Sequence, residues 1–335
     1  MFETIEKAVK QLQAAQNKLV ETLDMAAIEA LVIVFELMLG QDDDEWATLS
    51  ATDQANILAD IQAADFDGMT PELKRQVLQL LLVATMREDG LQANYQVTPD
   101  AIGMWVGFVV EQFVTAGEPV KVTDLTVGSG NLLATVAQVL GQQKNEMTAN
   151  GVENDDTMLT IASGMAALLG LDWQLTLADA VADQPAVNQD VVIADLPVGY
   201  YPSAVPTDFT TQADDGLTYV HHLLIEQAIK ALRPGGLAAL IVPANLFESE
   251  QAANILKYLQ GSDVFFQALL QFPEKLFTNE KAAKAILVLQ RSGGDAVQAT
   301  PVMLARTPEL TNVAENKNFV SEITAWMTAN ALRHA

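Results

Sequence analysis

Apolar side chains recur at Ile5, Val9, Leu12, Leu19 and Leu23, at spacings that place one stripe along one face of a helix, with Gln16 interrupting it. Such a stripe needs a partner surface. The next apolar run, Met25 to Leu39, supplies one and ends at Gly40 before the acidic loop DDDE at 42–45, which reads as solvated. Two more helices are predicted near 52–64 and 70–88, the second entered through Thr70 as N-cap and Pro71 in the first turn. Residues 1–92 therefore read as an all-helical domain for packing or interaction, without a catalytic constellation.

From about Asn94 the rhythm changes. Thr98-Pro99-Asp100 is expected to cap a helix running to about Thr115. Short apolar runs then fall near 120–125, 149–153, 174–178, 190–195, 236–243, 264–272 and 284–291, separated mostly by helical segments at 131–142, 156–169, 218–232 and 248–260. That alternation implies an α/β fold with a doubly wound parallel sheet covered on both faces. The 178–190 connection is too short for a long helix. The last two strands are joined by the loop FPEKLFTNEKAAK, which predicts an antiparallel hairpin at one sheet edge. After Gly293-Gly294 the chain is less regular, with one helix expected near 318–333, so 93–293 reads as the core and 294–335 as an extension packed on it.

The 335 residues are half hydrophobic, ample for a large core. There are no cysteines, which excludes disulfides and thiolate metal sites, and the three histidines, two of them the pair His221-His222, lack ligand spacing; no metal is expected. A reducing cytoplasm fits this. The first residues carry acids where a signal peptide would be basic, and Glu29 and Glu36 interrupt the longest apolar run, so no membrane contact is expected. Against 18 Lys and Arg stand 43 Asp and Glu, a formal net charge of −25 that repels nucleic acid and anionic lipid at long range. Lys275, Lys281, Lys284 and Arg291 cluster in sequence around the final hairpin, where they could form a small local basic patch, although four such charges more often read as a solvated face.

Ligands of doubly wound sheets bind beyond the carboxyl ends of the strands. Here the strand ends carry Asp124, Glu153, Asp179 and Asp195, and VKVTDLTVGSGNLL at 120–133 follows Asp124 with a turn containing Gly128 and Gly130 that opens a helix. Glycines allow close backbone approach, and the helix amides point at the ligand. A carboxylate after the second strand suits ribose hydroxyls, but the third glycine of a dinucleotide fingerprint is replaced by Leu133. S-adenosylmethionine, which has no phosphate and carries a sulfonium and an amino-acid end, suits this acid-lined edge better.

On these residues the chain resembles the class I S-adenosylmethionine-dependent methyltransferases, specifically the bacterial adenine-specific DNA methyltransferases that act on the amino group. D-L-T-V-G-S-G-N-L-L is similar to their motif D-P-A-C-G-S-G-N, N-Y-Q-V-T-P-D at 94–100 to their cofactor-side motif, and L-R-P-G-G-L-A-A-L-I-V-P-A-N-L-F at 232–247 to their fifth strand. The resemblance implies a Rossmann-like methyltransferase sheet behind a helical N-terminal domain. It implies cofactor contacts from Thr98, Asp124, Thr126, Gly128, Ser129, Gly130, Asn131, Glu153, Asn154, Asp179, Ala180 and Asp195.

The family's catalytic motif is N/D-P-P-Y/F, whose first side chain and a backbone carbonyl hold the target amine while the aromatic ring stacks on a flipped base. Here it reads Asp195-Leu196-Pro197-Val198. Asp195 and the Leu196 carbonyl retain acceptor capacity, and Val198 has no ring. Gly199 could bend the loop so that a ring of Tyr200 or Tyr201 takes over, with Tyr200 as the candidate; the other reading is that both pack the loop. The resemblance implies methyl transfer to an amino group, adenine in DNA, through Asp195, Leu196, Pro197 and Tyr200. A small-molecule or protein acceptor, or a non-catalytic cofactor-binding scaffold or regulator, keeps the same fold. With so few basic residues and no recognition domain, DNA is expected to bind the isolated chain weakly, with a protein partner or a second copy engaging the helical domain.

Overall fold

The computed structural model describes residues 2–41, 43–90, 97–183, 186–261, 263–277 and 282–332. The chain forms two compact units, one of residues 1–97, 128–134 and 155–175, the other of 98–127, 135–154 and 176–335.

The first unit contains α1 (Phe2–Leu23), α2 (Ala27–Met38), α3 (Ala51–Ala63) and α4 (Pro71–Glu88), joined by α7 (Asp156–Leu169) from the alternating part of the sequence. Its core collects Leu12, Leu19, Leu31, Phe35, Ile57, Leu78 and Leu81 with Ile161 and Met165 of α7. Gly164 admits Phe35, because a Cβ there would stand 2.8 Å from the ring's Cδ2 atom. The polar interruption in the α1 stripe has a structural use. Buried Gln16 donates from Nε2 to the Ala27 carbonyl (2.7 Å) and to Thr85 Oγ1 (2.8 Å), tying α1 to the start of α2 and to α4. Asp89, following α4, caps α2 by accepting from the Ala27 and Ile28 amides at 2.9 and 2.7 Å. In the acidic loop, Asp43 accepts from the amide of Trp46, a buried residue, at 2.8 Å.

The second unit holds α5 (Asp100–Phe113), α8 (Val220–Ala231), α9 (Ala252–Gly261), α10 (Val313–Ala329) and most of the sheet; α6 (Asn131–Gln142) begins in the first unit and continues here. The strands are β1 (Val120–Asp124), β2 (Met147–Glu153), β3 (Trp173–Leu177), β4 (Gln189–Asp195), β5 (Leu232–Pro243), β6 (Val264–Gln271), β7 (Lys284–Arg291) and β8 (Met303–Arg306). They lie in the order β3-β2-β1-β4-β5-β7-β6-β8. β1 runs parallel to β2 and β4, and β4 to β5, with β1 and β4 buried almost throughout, as parallel strands covered on both faces must be.

β7 reverses this direction between β5 and β6. Its first residue, Lys284, pairs with Pro243, the last of β5, so the reversed strand delivers its N-terminal side chain to the carboxyl edge of its neighbours. The predicted hairpin is therefore present, with the unforeseen β8 pairing in parallel outside β6. At four residues, two of them exposed, β8 carries little apolar signal of its own. α10 begins earlier than expected, where Asn312 accepts from the Glu315 amide at 3.3 Å, and its Phe319 packs edge-on to Trp105 of α5 at 5.2 Å.

One cap differs from expectation. Pro99 is the N-cap of α5 and no side-chain cap bond forms there. The Thr98 hydroxyl, expected to cap, donates elsewhere. No helix among the described residues is long and apolar enough to cross a membrane.

Candidate functional site

Asp124 closes β1 and is only 1% exposed. Its Oδ1 accepts from the Thr126 amide at 3.1 Å, and its buried Oδ2 has no hydrogen-bond partner among the described residues. Burial pushes its pKa up to about 8; the Thr126 amide opposes this rise, and the negative charges of Asp195 and Glu153 add to it. A carboxyl held this way is protonated at neutral pH. It retains a buried oxygen that a cationic donor can satisfy.

Asp195 closes β4 and meets three groups. Its Oδ2 accepts from the Thr98 hydroxyl at 2.9 Å, its Oδ1 pairs with Lys284 Nζ at 2.5 Å, and its main-chain carbonyl accepts from Thr126 Oγ1 at 3.2 Å. Thr98, Thr126 and Asp195, three of the expected site residues, are thus brought together. Lys284 corrects the reading of the basic cluster as a solvated face, because only 28% of its side chain is exposed and it is paired inside the site. Lys275 pairs with Glu309 at 3.0 Å, and Arg291 donates to the Leu232 carbonyl; Lys281 lies outside the described residues, as does 94–96 of the expected cofactor-side motif.

At the end of β2, Glu153 Oε1 accepts from the Asn154 amide at 2.9 Å, and the Glu153 carbonyl accepts from the Ala178 amide at 2.8 Å. Asp179 follows β3. Its Oδ1 accepts from the Val181 amide at 2.9 Å and its Oδ2 from the Tyr201 hydroxyl at 2.7 Å. Ala180 is buried, and its carbonyl accepts from Gln227 Nε2 at 2.9 Å. Tyr201 is buried as well; desolvation, and then Asp179, push its phenol up to about 12, so it stays a donor.

The chain leaves β1 through the glycine turn, with Gly128 at φ 52° and Gly130 at φ 83°. Gly130 has a second requirement besides its backbone. A Cβ there would lie 2.6 Å from Trp173 Cζ3, so the missing methyl makes room for an indole. Ser129 and Asn131 beside it are buried.

In the loop after β4, Leu196 is buried and its amide donates to the Ile241 carbonyl at 3.0 Å, while Val198 is half exposed. The loop then pairs back on the segment ahead of α8: the Tyr201 amide donates to Thr218 at 2.8 Å, the Val220 amide donates to Gly199 at 3.0 Å, and Tyr200 bridges Tyr219. Directly opposed residues of an antiparallel ribbon project to one side. Accordingly the Tyr200 and Tyr219 rings stack at 4.8 Å, inclined by 13°, and both hydroxyls donate to Glu250 Oε1, at 2.8 and 3.0 Å. Tyr219 stacks in turn on His221 at 5.1 Å. Burial holds His221 and His222 neutral, down to about 3 and about 4. Tyr200 and Tyr201 therefore part company, one an exposed ring on a stack, the other an anchor for Asp179.

Sequence reading missed Lys284, Tyr219 and Glu250. Lys284 was within reach of it, since the first residue of a strand reversed against β5 must lie at that strand's carboxyl end.

S-adenosylmethionine brings an ammonium, ribose hydroxyls and a sulfonium, and no phosphate. The unpartnered Asp124 oxygen fits the first of these, and a carboxylate ending the adjacent strand, Glu153, fits the second. Residues 93–328 match the family described as N-6 DNA Methylase. An uncharacterized protein of Bacillus subtilis (strain 168), YtxK, is 33% identical over 307 residues, 91% of this chain and 92% of its own. A putative class I S-adenosylmethionine-dependent methyltransferase from Listeria monocytogenes has a TM-score of 0.84 at 28% identity, covering 97% of this chain and 99% of that one. The type I restriction-modification methyltransferase subunit from Streptococcus thermophilus shares the fold at 15% identity, with a TM-score of 0.64 over 94% of this chain and 74% of its own. The chain belongs to the N-6 DNA Methylase family, and its cofactor is S-adenosylmethionine.

Proposed function

We propose that this protein transfers the methyl group of S-adenosylmethionine to an uncharged amino group, of which adenine in DNA is the acceptor suggested by its family. The observation that carries the reading is the pairing of a buried acid with an unpartnered oxygen, Asp124, and a carboxylate fixed by Thr98 at the end of the neighbouring strand, Asp195. When bound, the cofactor supplies an electrophilic methyl on a sulfonium sulfur.

The chain's own residues do the rest. Asp124, once ionised, accepts from the cofactor's ammonium, and Glu153 accepts from its ribose hydroxyls. Asp195 and the Leu196 carbonyl accept the two hydrogens of the acceptor amine, which points its lone pair at the methyl and stabilises the positive charge that grows on nitrogen. Tyr200, its ring pinned on Tyr219 and by Glu250, offers a face to a planar acceptor. In this scheme most of the rate comes from orientation and electrostatics.

A second reading keeps the chemistry and changes how the acceptor arrives. Lys284 and Arg291 spend their charge or donors inside the protein, and Lys275 is paired with Glu309 at the surface, against a net charge of −25. That supports delivery of DNA by a partner chain, or a second copy, engaging the helical unit, or else a small-molecule or protein acceptor. The test is incubation with methyl-labelled S-adenosylmethionine and DNA, RNA and protein fractions of a bacterial extract. Label in DNA as methylated adenine supports the first reading, label in another fraction supports the second, and no label in any fraction overturns both in favour of a non-catalytic cofactor-binding protein.

A further inference from the structure

Resting on the methyl-transfer reading above, we propose that Lys284 is a specificity-determining residue that cancels the charge of Asp195, so that the acceptor site selects a neutral amine over an ammonium. The geometry is direct. Lys284 Nζ stands 2.5 Å from Asp195 Oδ1, with 28% and 16% of the two side chains exposed, while Thr98 holds Oδ2 at 2.9 Å. An ionised carboxylate has about four lone-pair sites. One on each oxygen is taken, which leaves one on each for an incoming N–H donor. The carboxylate keeps its accepting geometry, and the ion pair as a whole has no net charge.

This matters because the nitrogen that takes the methyl must bring a lone pair. A protonated amine has none, and an unpaired carboxylate at 16% exposure would collect protonated amines preferentially. Pairing with Lys284 removes that preference, so the fitting acceptors are amino groups neutral at physiological pH, such as the exocyclic amine of a heteroaromatic ring or a carboxamide. Lysine side chains and polyamines are selected against. The same pairing acts on the cofactor: an uncompensated Asp195 would hold the positively charged sulfonium more tightly than the neutral thioether product.

Isothermal titration of the full chain with S-adenosylmethionine and, separately, with S-adenosylhomocysteine tests this without an identified acceptor. The two ligands differ by one methyl and one positive charge, so the ratio of their affinities reads the local charge. In Lys284→Gln the ratio is expected to move roughly tenfold toward S-adenosylmethionine, the scale of one unit charge several ångströms away in a partly screened site. In Asp195→Asn, where Lys284 is left unpaired, it is expected to move the other way. The double variant and Lys284→Arg are expected to return to the wild-type ratio. A merely structural lysine would weaken both ligands together and leave the ratio alone; that result in Lys284→Gln overturns the proposal. Should Lys284→Gln fail to fold, Asp195→Asn decides, and an unchanged ratio there overturns the proposal equally. If the wild-type chain binds neither ligand, the cofactor assignment falls instead.

Discussion

Replacing Asp124 by Asn is expected to stabilise the ligand-free protein above neutral pH and at the same time to weaken cofactor binding. The carboxyl is fully buried and titrates at about 8 instead of 3.8, chiefly through desolvation and in part through the charges of Asp195 and Glu153. Because the folded value lies above the unfolded one, the contribution to stability is fully present below pH 3.8 and is lost as the pH rises through about 8. A difference of one pH unit between folded and unfolded titration corresponds to about 1.36 kcal/mol, so the interval from 3.8 to about 8 sets a ceiling of ~5–6 kcal/mol, reduced to ~2–4 kcal/mol by relaxation around the ionised group. Asn cannot ionise, and the Thr126 amide still finds an oxygen. Urea unfolding of the two proteins between pH 4 and pH 9 should therefore give coincident curves at the acid end and a growing advantage for Asp124→Asn toward the basic end. Calorimetry with S-adenosylmethionine in buffers of different ionisation enthalpy should show the wild type releasing close to one proton on binding at pH 7 and gaining affinity up to about pH 8, with both effects absent in Asp124→Asn. Parallel stability curves, or a variant less stable than wild type at pH 8, would refute the assignment of a protonated, ligand-seeking acid at this position.

With an acceptor in hand, Asp195→Ala should lower turnover by about two to three orders of magnitude, the scale of a lost transition-state hydrogen-bond partner, with a much smaller change in cofactor affinity. Tyr200→Ala should raise KM for a planar acceptor, and steady-state kinetics showing both constants unchanged would leave Tyr200 as loop packing. Tyr201→Phe removes the hydroxyl that Asp179 accepts from at 2.7 Å and should cost ~1–3 kcal/mol in thermal unfolding, together with weaker cofactor binding; wild-type values for both would show that this bond does not hold the site. Gly130→Ala drives a methyl against the Trp173 ring on a backbone at φ 83° and should destabilise by about 2–4 kcal/mol even without ligand, visible as a lower Tm and a changed tryptophan emission.

Local pattern in the sequence determined a great deal. The boundaries of α6 and α7 at 131–142 and 156–169 coincide with the periodic segments, and all seven expected strands form; for the central strands β1, β4 and β5 the reason is that burial on both faces writes a parallel strand as a nearly continuous apolar run. The acids at strand ends were legible for the same reason: in such a sheet the residue that closes an apolar run stands at the ligand edge. Tertiary structure decided what depends on contacts between distant positions. Thr98 offers a hydroxyl to its own helix or to Asp195, 97 residues away, and nothing local prefers the second. Lys284 resembles any exposed lysine until the reversal of β7 brings it to Asp195 across 89 residues. Tyr200 and Tyr201 are adjacent and chemically identical, and only the ribbon formed with Thr218 and Tyr219 sends one ring to a surface stack and the other hydroxyl to Asp179. β8 forms because β6 offers it an open edge, and α7 joins the helical unit because Gly164 leaves room for Phe35. Helix and strand periodicities are properties of neighbours in sequence, whereas the partner of a polar side chain is set by which strands and loops the chain has folded together, and on that the local pattern is silent.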